Sequence, residues 1–151
     1  MKTIFRICTA LLASSFSIIH AEDITAFHVA QGQEVAFNKS GVAHILTKDG
    51  WVAINRKKKV LYKPFIYDNG PDYVQEGLLR FVENSKMGFV NEAGKKVIKA
   101  QFDFVFPFEK GRARFCNGCK TIKMDEHSMI DEKTGSWGEV DKKGKIVRQK
   151  R

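Results

Sequence analysis

Two cysteines three residues apart, Cys116-Asn117-Gly118-Cys119, are the most reactive pairing in the chain. A C-x-x-C loop can close as a disulfide, supply half of a zinc site, or exchange thiols. Thiol exchange needs an activated thiolate, normally at a helix N-terminus, and no helical or βαβ pattern follows Cys119. Zinc needs further ligands; His127, with Asp125 or Glu126 beside it, is the nearest supply, so Cys116, Cys119 and His127 form an incomplete metal set. The expectation is a structural disulfide between Cys116 and Cys119, with metal binding or thiol redox activity as the alternative.

A second constellation is cationic. His44, Arg80 and Arg114 each lie three residues after a glycine, Gly41, Gly77 and Gly111, and Arg112 extends the set. On strands these side chains share one side, opposite Ala43 and Ile45, Leu79 and Phe81, and Ala113 and Phe115. Stacked in register they form a row able to hold carboxylate, sulfate or phosphate, which arginine binds in two-pronged fashion. The competing expectation is that each pairs with a nearby acid such as Glu83, Glu109 or Glu139, or is simply solvated. A third set, Arg56 to Lys59, Lys95-Lys96 and Lys142-Lys143-Lys145, clusters at turn tips, followed by Arg148, Lys150 and Arg151. Lysine-rich edges discourage strand-to-strand aggregation and also suit an anionic surface.

The elements that position these residues come from a repeat. Gly77 to Ile98, G-L-L-R-F-V-E-N-S-K-M-G-F-V-N-E-A-G-K-K-V-I, has an altered copy on each side, with leading glycines 36 and then 34 residues apart. Such spacings belong to stacked repeats. Alternation of apolar residues with period two makes each unit a β-hairpin array, the Ala/Ile, Leu/Phe and Ala/Phe positions being expected in the core. Second strands, Trp51 to Asn55, Met87 to Asn91 and Trp137 to Asp141, run into N-R-K-K-K, N-E-A-G-K and D-K-K-G-K. Asn or Asp followed three residues later by Gly suits a type I turn closed by a left-handed residue. Copy one has Lys58 in place of that glycine, so its turn is expected to take another shape. Copy three is interrupted after Asn117 and resumes at Trp137, giving an insertion at about 116–134. Aromatic, proline-punctuated stretches join the units and are expected to be mortar between hairpins.

At W-G-E-V-D-K-K-G-K-I-V and M-G-F-V-N-E-A-G-K-K-V-I, preceded by F-E-K-G-R-A-R-F, the chain resembles the WG repeat family of bacterial proteins. The resemblance covers about Ala36 to Val147. Trp137-Gly138 matches fully, Met87-Gly88 keeps the glycine and Trp51-Val52 keeps the tryptophan. It implies repeated β-hairpins and a binding or interaction role, without a shared chemistry.

The first 21 residues read as a cleaved secretory signal peptide: Lys2 and Arg6, an apolar or hydroxylic run from Ile7 to Ile19, then Ala21 before Glu22 and Asp23. Thirteen such residues fall well short of the roughly 20 a spanning helix needs, so no transmembrane segment is expected in the mature chain. Cleavage removes two basic residues from a chain of net charge +9, leaving about +7. In an oxidising, exported setting this excess favours an unknown protein or an anionic envelope component over nucleic acid. Residues 22–40 read as a half-repeat or cap, and 41–151 as the repeat domain. There is no G-x-S-x-G, G-x-G-x-x-G, P-loop or H-E-x-x-H pattern, and Asp131-Glu132 sits in a polar loop where carboxylates are ordinarily exposed. The expectation is an all-β, periplasmic or secreted, non-catalytic binding protein with no cofactor.

Overall fold

The structure, a computed structural model, describes residues 22–124 and 127–150. The signal-peptide reading and Asp125-Glu126 lie outside the described residues, as does the side chain of His127.

Each unit is an antiparallel meander. Unit one comprises β1 (Val42–Thr47), β2 (Gly50–Asn55) and β3 (Val60–Pro64); unit two comprises β6 (Leu78–Glu83), β7 (Lys86–Asn91) and β8 (Lys96–Phe102). A small hairpin, β4 (Ile66–Tyr67) with β5 (Gly70–Pro71), lies between them, and β9 (Phe104–Val105) leads into unit three. Unit three is β10 (Arg112–Asn117), β13 (Ser136–Asp141) and β14 (Ile146–Lys150), interrupted by a hairpin of β11 (Thr121–Met124) and β12 (His127–Ile130). Strand order is β1-β2-β3-β6-β7-β8 in one sheet and β14-β13-β10-β9 in the other. All strand pairs are antiparallel, as the period-two pattern requires.

The units repeat in register. Pro64 pairs with Phe81 as Val105 pairs with Phe115, so the segment entering each later unit meets its leading strand at the same place. Across each unit runs a transverse row of cross-strand partners: His44–Ala53–Tyr62, then Arg80–Phe89–Ile98, then Arg114–Glu139–Arg148. Three apolar clusters separate the layers. Ala43, Ile45, Val52 and Ile54 pack on Ile24, Val35 and Phe37 from the N-terminal segment, which contains one short helix, α1 (Ala26–Ala30). Val42, Ala53 and Tyr62 meet Leu79, Phe81 and Val90 of unit two. Leu78, Phe89 and Ile98 meet Phe102, Phe115 and Val140 on the side of unit three.

Units one and two therefore bury both faces of their hairpins. This corrects the expectation of one core face and one basic face: the side opposite Leu79 and Phe81 packs against unit three. Stacked hairpins have a neighbour above and below, and an inner hairpin must be apolar on both sides.

The three turns share one construction. The side-chain oxygen of Asn55, Asn91 or Asp141 accepts two backbone N–H groups, from Lys57 and Lys59, Ala93 and Lys95, or Lys143 and Lys145, at 2.9–3.1 Å. The residue three positions on then takes positive φ: Gly94 at 76°, Gly144 at 81°, and Lys58 at 60°. Copy one therefore keeps the shape of the others, against expectation. The Asn55 cage holds Lys58 in a left-handed conformation that costs a residue with a Cβ about 1 kcal/mol.

The glycine of the Trp-Gly pair answers a different need. A Cβ on Gly88 would lie 2.4 Å from the Ile98 carbonyl oxygen, because the bulged strand β8 crosses directly over it. On Gly138 it would meet the Phe115 ring at 2.5 Å. In copy one, β3 pairs with Ala53 and Ile54 and has no counterpart of the Met87–Phe102 pair that carries β8 on past Gly88, and Val52 stands at the equivalent position.

Candidate partner-binding face

The expected cationic row divides into half-buried His44, buried Arg80 and two exposed members, Arg112 and Arg114. His44 shares a 2.9 Å hydrogen bond between Nε2 and the Tyr62 hydroxyl, inside the seam between units one and two. Burial lowers the His44 pKa below its ordinary 6.5 and raises that of Tyr62 to about 12. Arg80 is only 4% exposed. Its Nε and Nη2 donate to Asp72 at 2.7 and 2.8 Å, and Nη1 donates to the Val105 carbonyl at 3.1 Å. The Phe65 ring lies 4.5 Å beneath the guanidinium. His44 and Arg80 are thus removed from the ligand-binding set: the next unit covers them, and their polar atoms are used internally. The acid that pairs with Arg80 is Asp72, from the residues following the β4–β5 hairpin, and not Glu83, which pairs with Lys96.

Arg112 and Arg114 remain at the surface. Arg112 donates to Glu139 at 3.2 Å, one of the pairings expected from sequence. Arg114 lies 4.3 Å from the Trp137 ring centre and 5.3 Å from that of Phe106, a distance at which cation–π attraction operates. One of its nitrogens donates to Glu132 at 2.7 Å. The two aromatic rings stack with centres 6.3 Å apart. The Phe106 amide donates to the Arg114 carbonyl at 2.8 Å, as the Phe65 amide donates to that of Arg80 at 3.0 Å. Phe106 and Arg114 therefore reproduce, at the outer end of the array, the pairing of Phe65 and Arg80 inside it.

The outermost row, Arg114–Glu139–Arg148, occupies the register of Arg80–Phe89–Ile98 with charge in place of hydrocarbon. It borders two adjoining hollows of about 550 and 560 Å³. Trp137, Lys133 and Arg148 line the first, Phe106, Pro107 and Arg112 the second, and Arg114, Glu132 and Glu139 line both. Trp137 and Phe106 were not among the candidates named from sequence; Arg148 was named only with the turn-tip lysines, and Glu132 only as an exposed loop carboxylate. Arg148 is legible in retrospect, since it aligns with Tyr62 and Ile98 once the turns are superposed. Glu132 is not, because the length of an insertion does not say where it returns.

Cys116 and Cys119 form a disulfide with Cα atoms 5.9 Å apart. Cys116 is fully buried in β10 opposite Trp137, and the bridge stands at the base of the insertion. The return limb is tied there too: Lys120 N–H donates to the Thr134 hydroxyl at 2.8 Å, and the Trp137 indole donates to the Thr134 carbonyl at 2.9 Å. Bridged sulfurs are not thiolates, so they offer neither a zinc ligand nor a nucleophile in this state. Among the described residues no group of three or more His, Cys, Asp or Glu side chains gathers as a metal site.

The lysine-rich turn tips are partly engaged in joining units. Lys142 pairs with Glu76 at 3.0 Å, and Glu76 also accepts the Gly111 amide, which together hold its carboxyl below the usual range. On the preceding layer the Asn38 side chain donates to the Glu92 carbonyl at 2.8 Å. Among the described residues no helix is long and apolar enough to cross a membrane.

No curated protein and no solved structure matches the chain. A family model does: the WG containing repeat matches residues 87–120. That span runs from Met87-Gly88 through β8, β9 and β10 to the start of the insertion, one full period of the array. Hairpins repeat in register along the chain, and the match identifies the stretch at residues 87–120 as a WG containing repeat.

Proposed function

We propose that this is an exported, non-catalytic interaction protein of the bacterial envelope, and that it engages an anionic partner through the outer end of unit three. The single observation carrying this reading is Arg114. It stands on Trp137 and Phe106 in an open hollow, while its counterpart Arg80 is fully consumed inside the array. An arginine flanked by aromatic rings and partly shielded from water binds carboxylate or phosphate more firmly than a solvated one. Arg112 and Arg148 add charge on either side. The remaining excess of basic residues supports attraction at longer range, which shortens the search for an anionic partner and weakens with salt.

The localisation is proposed from the leader-like first 21 residues and from the disulfide, a bond that persists in oxidising compartments. The test is affinity capture from envelope extract at low and high salt, with the natural chain beside Arg112→Glu and Arg148→Glu. Partners retained at low salt, released by salt and lost in both variants are expected. Capture that is indifferent to both charge reversals would overturn the assignment of this face. Fractionation of cells producing the full chain checks the compartment, cytoplasmic retention being the contrary result.

A further inference from the structure

The array contains a worked example of what an arginine at the fourth position of a unit accepts. Arg80 takes a carboxylate in two-pronged fashion, at 2.7 and 2.8 Å, and a backbone carbonyl at 3.1 Å, with an aromatic ring against its face. Both acceptors are polypeptide groups: Asp72 from the segment beyond the β4–β5 hairpin, and Val105 from β9 on the approach to unit three. Arg114 has the same backbone setting, with Phe106 bonded to its carbonyl and a second ring, Trp137, added.

What differs is the acid. After Phe65, unit two carries the β4–β5 hairpin that delivers Asp72; after Phe106, the chain passes directly through Pro107 to Gly111. Arg114 instead receives Glu132 from the insertion between β10 and β13, through one nitrogen, with that carboxylate side chain 66% exposed and the arginine 45% exposed. A single-point, exposed ion pair contributes little and exchanges readily with solvent. Two-pronged geometry with a second acceptor is left open to another chain.

We propose that Arg114, on Trp137 and Phe106, is a carboxylate-binding site for an aspartate or glutamate side chain of a partner peptide, and that Glu132 is an internal occupant which the incoming acid displaces. The proposal rests on the outer face being the interface and goes further in naming the ligand. The flanking hollows, about 550 and 560 Å³, have room for the peptide on both sides of the charge. Their rims carry Glu109 and Glu139 among Arg112, Lys133 and Arg148. That mixed rim offers partners to both the carbonyls and the amides of a peptide backbone, groups that inorganic phosphate lacks.

The test follows the Trp137 indole N–H by NMR in the oxidised, isotope-labelled protein, with the Trp51 indole as an internal control. The probes are a capped glycine–glutamate hexapeptide, its glycine–glutamine counterpart, and inorganic phosphate. The glutamate peptide should shift Trp137 saturably and leave Trp51 in place, and the glutamine peptide and phosphate should do neither. Glu132→Gln should tighten the glutamate peptide by about two- to fivefold, the range that loss of one exposed ion-pair competitor gives. Arg114→Lys should weaken it while thermal unfolding is unchanged, separating recognition from folding. Equal binding of phosphate, or no tightening in Glu132→Gln, would overturn the proposal. If the peptide fails while envelope capture still depends on Arg112 and Arg148, only the ligand class falls; if both fail, the interface falls with it.

Discussion

Asp72 grips the Arg80 guanidinium at two points, 2.7 and 2.8 Å, with both side chains no more than 4% exposed. The pair lies at the seam where unit three covers unit two, and the Val105 carbonyl takes a third guanidinium nitrogen. Among the described residues no buried side-chain nitrogen or oxygen lacks a partner, so the charge is fully accommodated. Removing one member strands the other in a site closed to water. Arg80→Ala and Asp72→Ala should each cost about 3–5 kcal/mol in urea unfolding. Replacing both together with Met and Leu should recover much of that loss, since an apolar pair leaves no unpaired charge. Single losses below about 1 kcal/mol would show that water reaches the pair.

His44 and Tyr62 give the fold a pH dependence with a defined sign. Burial lowers the His44 pKa below 6.5, so the unfolded chain takes up the proton first as pH falls. The contribution of neutral His44 is complete above pH 6.5 and is lost as pH falls through the folded value. Asp23, Glu76 and Asp103 are held below their ordinary values of 3.8, 4.5 and 3.8, so their contributions are lost at more acidic pH. Melting temperature measured from pH 7.5 to pH 5 should decline in the natural chain and decline less in His44→Gln. At the alkaline end the sign reverses: Tyr62, raised to about 12, loses its contribution as pH rises from 10 through that value.

Gly88 is the position where the second half of the Trp-Gly pair is a steric requirement. Its Cβ would meet backbone atoms of Ile98, Lys99 and Ala100 within 2.4–2.7 Å, and backbone cannot swing aside as a side-chain end can. Gly88→Ala should destabilise the protein by about 1–3 kcal/mol, the range for overpacking a filled core. Val52→Gly at the equivalent position of copy one should also destabilise, for the opposite reason: it removes a side chain that is 7% exposed in the first cluster. Opposite physical causes at aligned positions would be checked by a double variant, whose losses should add because Val52 packs in the first cluster and Gly88 lies under β8 in unit two.

Lys58 offers a gain. It sits at φ 60° in a turn whose two counterparts use glycine. Lys58→Gly should stabilise by up to about 1 kcal/mol in thermal or urea unfolding. The same change deletes the exposed ion pair with Asp23, which offsets little of it. Lys58→Ala, with a Cβ but no charge, should show no gain and so separates backbone strain from loss of the ion pair.

The repeat was legible because each of its parts has a local cause. Asn55, Asn91 and Asp141 cage their turns with their own side chains, and the placing of Leu79 and Phe81 on either side of Arg80, and of Ala113 and Phe115 on either side of Arg114, sets the strand period. The Cys116–Cys119 disulfide was legible for the same reason, since three residues of separation leave the partners within reach. The roles of the arginines were not. Arg80 and Arg114 hold the same position relative to their glycines, and nothing local distinguishes them.

By itself, then, the sequence determined the hairpin unit, its period, its turn chemistry and the place where the third copy is broken, all of which rest on contacts between residues near in the chain. Tertiary structure alone decided which member of the cationic row is consumed and which is offered. Stacking buries both faces of units one and two, so His44 and Arg80 acquire Tyr62, Asp72 and Val105 as partners, whereas the outer face of unit three leaves Arg114 on Trp137 beside open hollows. Burial depends on which layer covers which, and the two insertions that supply Asp72 and Glu132 return to their arginines through folding of segments whose sequence carries no address.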